Sequence, residues 1–171
     1  MAMTCSFLRA EAKRATSPRR VLQRVNQHLL QMDKSDMFVT VLYGILETSL
    51  RSFRYVRAGH EVPLLVQSDG EALMLPRVFG QALGFLQQPE LDEQTTVLSP
   101  GDTLLIYSDG ITEATNPAGE LFGRQRLQKA ALKFRHRSAQ EVCDFLVETV
   151  LSYQGKGDRS DDLTLFAMVA N

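Results

Sequence analysis

The sequence predicts an α+β domain in which helices bracket a block of antiparallel hairpins. Three observations lead there. Apolar residues recur at helical spacing at both ends: Val21, Val25 and Leu29 near the start, and Val142, Phe145, Leu146 and Val150 near the finish. Between them lie short runs of β-branched and aromatic residues, separated by turn signals such as Ser68-Asp69-Gly70 and Pro100-Gly101. Strands and helices do not alternate, which argues against βαβ units and a parallel sheet.

Each element has its own signal. Met1 to about Lys13 reads as helix. Ser17-Pro18 supplies an N-cap followed by proline at the first helical position, where its missing N–H costs nothing. The helix so started carries Leu22 beside the Val21, Val25 and Leu29 stripe and ends near Met32. Phe38–Leu46 is nearly continuously apolar, which suits a strand covered on both faces. Thr48-Ser49-Leu50 connects it to a returning strand, Ser52–Arg57. Leu64-Leu65-Val66 and Ala72–Leu75 flank Ser68-Asp69-Gly70 as a second hairpin. Thr95–Leu98 and Thr103–Tyr107 are the next strands, and the latter ends at Ser108-Asp109-Gly110. Leu127, Ala130, Ala131 and Phe134 mark one further helix, and a last one starts after Ser138. The Gly155-Lys156-Gly157-Asp158 loop leads to a final strand, Leu163–Val169.

Bulk composition narrows the function classes. At 171 residues, 44% hydrophobic and 23% charged, the chain suits one compact domain with its own core. A net charge of −1 leaves no footprint for nucleic acid or an anionic membrane. The one dense basic run, Lys133, Arg135, His136 and Arg137, reads as a solvated helix end rather than a phosphate site. Cys5 and Cys143 lie far apart in apolar helical surroundings and read as small buried hydrophobes in a reducing compartment. No apolar run approaches the roughly 18–20 residues of a membrane span, and the start lacks a signal-peptide layout. These features point to a cytoplasmic protein.

Two acidic motifs carry the chemistry. In Tyr107-Ser108-Asp109-Gly110-Ile111-Thr112-Glu113, a carboxylate sits where an apolar strand ends, and the adjacent glycine permits a sharp bend. The plain alternative is a turn aspartate capping its own backbone. In Ser160-Asp161-Asp162-Leu163-Thr164, two acids open an apolar strand, and neighbouring residues there point to opposite faces. The plain alternative is a solvated loop. Taken together, carboxylates from distant loops suit hard cations such as Mg²⁺ and Mn²⁺. Two such ions about 3.5–4 Å apart can promote in-line attack on phosphorus. There is no plausible Ser/His/Asp set, Cys-x-x-Cys or Walker-type glycine loop.

The ordered set of motifs resembles the PPM-type protein serine/threonine phosphatases, in the branch typified by SpoIIE and RsbU. The matching segments are Met37-Phe38-Val39-Thr40, Arg57-Ala58-Gly59-His60 with Pro63-Leu64-Leu65, Leu83-Gly84, Gly101-Asp102, Tyr107 through Ala114, Leu121-Phe122-Gly123 and Asp161-Asp162-Leu163-Thr164. The resemblance implies two antiparallel sheets in a β-sandwich flanked by helices. It also implies a binuclear Mn²⁺ or Mg²⁺ site and hydrolysis of phosphoserine or phosphothreonine by metal-activated water. By motif match, Asp109 and Asp161 are the metal ligands. Glu113 lies near the site, Asp162 orients the strand or a nearby water, and His60 braces a loop or serves as a general acid. The implied partner is a phosphorylated regulatory protein, such as an anti-sigma-factor antagonist.

The family's earlier Gly-Asp-Val-Ser-Gly-Lys-Gly-type segment has no counterpart here, and Met1–Arg9 resembles the middle of the helix that follows it. The reading is therefore a single, N-terminally truncated domain over residues 1–171, impaired by itself. Exposed sheet edges should favour homodimers, strand swapping or aggregation. The competing reading is a catalytically silent interaction module on the same scaffold.

Overall fold

A computed structural model describes residues 2–14, 16–32, 38–134, 136–155 and 162–171. Met37, Arg135, Asp161 and the Lys156-Gly157-Asp158 part of the expected loop lie outside them. The described residues form two antiparallel sheets with accompanying helices. They divide into one unit of Met1–His60 with Arg77–Val97 and another of Glu61–Pro76 with Leu98–Asn171.

The first unit begins with α1 (Ala2–Ala12) and α2 (Pro18–Leu30). As the Ser-Pro signal implies, Ser17 caps α2, its hydroxyl accepting the Arg20 N–H at 3.4 Å. The same hydroxyl donates to Glu93 at 2.6 Å, and the Arg19 N–H donates to that carboxylate at 3.0 Å. A carboxylate thus sits at the positive end of the helix. Burial, the largest single influence on Glu93, raises its pKa. The hydrogen bonds from Ser17 and Arg19 and the nearby Arg54 outweigh burial and hold the group below its usual range.

Strands β1 (Val41–Glu47), β2 (Ser52–Ala58) and β5 (Glu93–Val97) form the sheet of this unit, in the order β1-β2-β5. A 3₁₀ turn at Thr48–Leu50 joins β1 to β2 in the register Val41↔Ala58 to Glu47↔Ser52. Val21, Leu22, Val25 and Leu29 pack with Val56 and Ala58 of β2 and with Leu83 and Leu91. The expectation that β1 is covered on both faces is wrong. It is an edge strand, half-buried from Val41 to Ile45 and exposed at Leu46 and Glu47. An apolar run reports affinity for a surface, not how many surfaces are present. The cysteine expectation also needs correction, because Cys5 is exposed and Cys143 half-buried, both as free thiols.

The second unit holds β3 (Leu64–Val66), β4 (Ala72–Met74), β6 (Thr103–Tyr107) and β7 (Leu165–Val169), in the order β4-β3-β6-β7 and antiparallel throughout. Its helices are α3 (Asp109–Thr112), α4 (Gly123–Ala131) and α5 (Ala139–Gln154). Ser138 and Glu141 form a capping box at the start of α5, and this bond pair holds the Glu141 carboxyl below its usual range. Lys133, His136 and Arg137 are solvent-exposed, in line with a solvated helix end. Leu64, Leu105, Tyr107, Ile111, Leu127 and Leu146 anchor one apolar core. Each is at most 1% exposed, and burying a side chain of this size contributes about 1.5–3 kcal/mol. This core fixes the end of β6, where the acidic motif begins. Among the described residues, no helix is long and apolar enough to cross a membrane.

Candidate functional site

Tyr107 ends β6 with its ring buried in the core and its hydroxyl 3.9 Å from the Met74 sulfur. Burial drives the phenol pKa well upward, so Tyr107 stays neutral and acts as an anchor. From there the chain turns into α3, a four-residue helix the sequence did not predict. Gly110 is buried in its first turn. Its φ is not positive, so the bend expected of this glycine is made as a helical turn.

Asp109 opens α3 and is exposed to solvent. One carboxylate oxygen accepts the Gly110 N–H at 3.0 Å. The other has no partner among the described residues. The self-capping geometry of the plain alternative is therefore present, and it leaves one oxygen available. Glu113 closes the turn, its N–H donating to the Asp109 carbonyl at 2.8 Å. Four-residue spacing places the two acids on one side of the turn, and Glu113 is also exposed.

Ser108 brings the second motif beside the first. Its N–H donates to the Thr164 carbonyl at 3.0 Å. Its hydroxyl accepts the Thr164 N–H and donates to the Asp162 carbonyl, both at 3.0 Å. These bonds extend the β6–β7 ladder beyond its last pair, Tyr107↔Leu165, and tie the segment after Asp161 to the residue before Asp109. Asp161 itself lies outside the described residues. Asp162 is exposed, and its carbonyl is one of the tied groups.

His60 belongs to the first unit. Its carbonyl accepts from the Arg57 guanidinium at 3.0 Å, while the other arm of Arg57 donates to the Val78 carbonyl at 2.8 Å. Gly59, at φ +72, donates to the Gly80 carbonyl at 2.6 Å. A Cβ on Gly80 would collide with the Arg57 carbonyl. Arg57 thus joins the carbonyls of His60 and Val78.

Sequence reasoning gave Ser108, Asp102 and Asn26 no role. Asp102 is 3% exposed and accepts the Ser68 and Ser99 N–H groups, fixing the turn ahead of β6. Asn26, fully buried, accepts from Gly84 and donates to Leu86, which explains the Leu83-Gly84 segment. A polar residue on an otherwise apolar helix stripe was the available signal for Asn26.

The donors suit a hard divalent cation in type, being exposed carboxylates at a rigid strand end. Among the described residues, no group of three or more His, Cys, Asp or Glu side chains is placed to hold a metal ion.

Comparison with known proteins gives a consistent result. The family described as Stage II sporulation protein E (SpoIIE) matches residues 1–171. The phosphoserine phosphatase RsbU of Bacillus subtilis is 28% identical over 151 residues, covering 88% of this chain and 44% of RsbU. Protein IcfG of Synechocystis sp. is 30% identical over 135 residues, covering 79% of this chain and 21% of IcfG. The crystal structure of the RsbU and RsbW domains of Rv1364c from Mycobacterium tuberculosis superposes with a TM-score of 0.84. It is 27% identical and covers 99% of this chain and 46% of that one. The chain thus spans less than half the length of these relatives.

Proposed function

Because the chain belongs to the SpoIIE family of phosphatase domains, we propose that it hydrolyses phosphoserine or phosphothreonine on a bacterial regulatory protein, such as an anti-sigma-factor antagonist, with Mn²⁺ or Mg²⁺ as cofactor. The likeness to RsbU supports the reaction class, and the free thiols of Cys5 and Cys143 suit a cytoplasmic setting.

The observation that carries this reading is the Ser108 junction, which holds the Asp109 turn against the segment that follows Asp161. In this proposal Asp109 and Asp161 hold the metal, with the Asp109 oxygen not engaged by Gly110 as donor. Glu113, one turn beyond Asp109, accepts hydrogen bonds from water beside the site. Asp162 orients the chain through its tied carbonyl. His60 keeps a bracing role through the Arg57 loop. A bound metal pair would supply Lewis-acid polarisation of the phosphoryl group and a lowered pKa for water. The 171 residues act as one domain.

Two measurements test this: Mn²⁺ titration by calorimetry, and Mn²⁺-dependent hydrolysis of p-nitrophenyl phosphate. Asp109→Asn and Asp161→Asn should each weaken Mn²⁺ binding and remove hydrolysis. Unchanged Mn²⁺ affinity in both variants would refute the ligand assignment. The competing reading is a catalytically silent interaction module. In that case no Mn²⁺-dependent hydrolysis is seen, and Asp109→Asn leaves partner binding intact.

A further inference from the structure

The net charge of −1 conceals an uneven distribution. Lys13, Arg14, Arg19, Arg20 and Arg24 fall within one stretch at the connection of α1 to α2, with no acidic residue between them. Arg54 of β2 joins them, its guanidinium donating to the Thr16 carbonyl at 2.8 Å. All six cations are exposed. Two carboxylates are bonded at this corner, Glu11 and Glu93. Six cations against two carboxylates leave a local excess of +4. With −1 for the whole chain, the remainder carries −5.

The fold uses only part of this charge. Glu11 takes up Arg24 at 3.3 Å and Arg14 at 3.9 Å, together with His28 at 3.0 Å. Glu93 takes up the Arg19 N–H at 3.0 Å and the Arg54 Nε at 3.6 Å. Both carboxylates are thus committed within the corner. Arg14, Arg24 and Arg54 still keep side-chain exposures of 72%, 46% and 44%. Among the described residues, no ion pair engages the side chains of Lys13, Arg19 or Arg20. Like charges held this close repel, and these three gain no ion pair that would offset the cost.

We propose that this corner docks an acidic segment of a protein partner. The occupant follows from charge and reach. Arg24 is held at one N–H by Glu11, and Arg54 by the Thr16 carbonyl. Guanidinium groups fixed in this way present their other N–H groups in a set direction, which suits pairing with carboxylates. The chain itself shows the match, since the Glu93 carboxylate sits among Ser17, Arg19 and Arg54 at the start of α2. Salt limits the field of the corner to about 8–10 Å. A short acidic segment stays within that reach. Duplex DNA or an anionic bilayer extends past it and meets the acidic remainder of the chain. None of these residues belongs to the proposed metal site.

Fluorescence anisotropy of a labelled oligoglutamate peptide with the 171-residue chain tests the proposal, with circular dichroism to confirm folding. The peptide should bind, and its affinity should fall steeply as salt rises. Lys13→Glu combined with Arg20→Glu should weaken binding about ten-fold or more. The double variant should stay folded, because neither side chain makes an ion pair in the fold. Lys133→Glu, at an exposed cation of the second unit, should leave the affinity unchanged. Phosphatidylglycerol vesicles and duplex DNA are the alternative anions and should bind more weakly than the peptide. Absence of salt-sensitive peptide binding, an equal loss in Lys133→Glu, or tighter binding to vesicles or DNA overturns the proposal.

Discussion

The two units are stabilised in different ways. In the first, polar side chains clamp elements distant in sequence. Glu11, with a side chain 5% exposed, bonds His28 at 3.0 Å and Arg24 at 3.3 Å, which fastens α1 to α2. The ring of Phe7 stacks on His28 at 4.9 Å. Glu93 fastens β5 to the start of α2, and Asn26 fastens α2 to the loop at Gly84. In the second unit, apolar residues from β3, β6, α3, α4 and α5 meet in one cluster. The carboxylate motifs lie in the second unit, at strand ends whose roots are in this apolar cluster.

Substitutions in each unit can break this contrast. The largest effect is expected for Leu146→Ala. It removes a fully buried side chain from the apolar cluster and should cost about 2–5 kcal/mol in urea denaturation. Asn26→Ala tests the clamps of the first unit. It strands the Gly84 N–H and the Leu86 carbonyl and should cost about 1–3 kcal/mol by the same measurement. A loss below that of an ordinary surface substitution would mean that the clamp does not matter.

Ser108→Ala separates positioning from stability. Its partners are exposed, so stability should fall by at most about 1 kcal/mol. Mn²⁺-dependent hydrolysis should drop about ten-fold or more, as expected when a group that orients a ligand is lost. Equal loss of activity and stability would make Ser108 a merely structural residue.

The smallest effect is in pH dependence. Hydrogen bonds outweigh burial at Glu93, so its folded pKa lies below its ordinary 4.5. The unfolded chain binds the proton more readily. The stability Glu93 contributes is therefore present above pH 4.5 and is lost as pH falls through the folded value. Glu11 acts in the same direction, with the His28 hydrogen bond as its main cause. Glu93→Gln should reduce the acid-side slope of stability against pH, and an unchanged slope would show that the group does not contribute.

Local patterns made much of the fold legible. The Val21, Val25 and Leu29 stripe and the Ser17-Pro18 start locate α2 to within two residues. The hairpins at Ser68-Asp69-Gly70 and Thr48-Ser49-Leu50 sit where their turn residues place them. Features that depend on a distant partner were not legible. The apolarity of β1 did not reveal that it lies at a sheet edge. Cys5 falls on an exposed part of α1, which its apolar neighbours in sequence concealed. The Asp109 motif was visible, but the bonds that tie it to Thr164 and Asp162 join residues more than fifty positions apart.

The sequence by itself determined the order and type of most of the elements, the family and the identity of the acidic motifs. Those properties are written in periodicity, turn chemistry and ordered short motifs, all read along the chain. Tertiary structure alone decided that Ser108 joins the two acidic segments and that Asp102 and Asn26 brace turns. Each of these depends on which backbone groups pair across a sheet or reach a buried side chain. Such pairing is a property of the folded arrangement that no local stretch of sequence encodes.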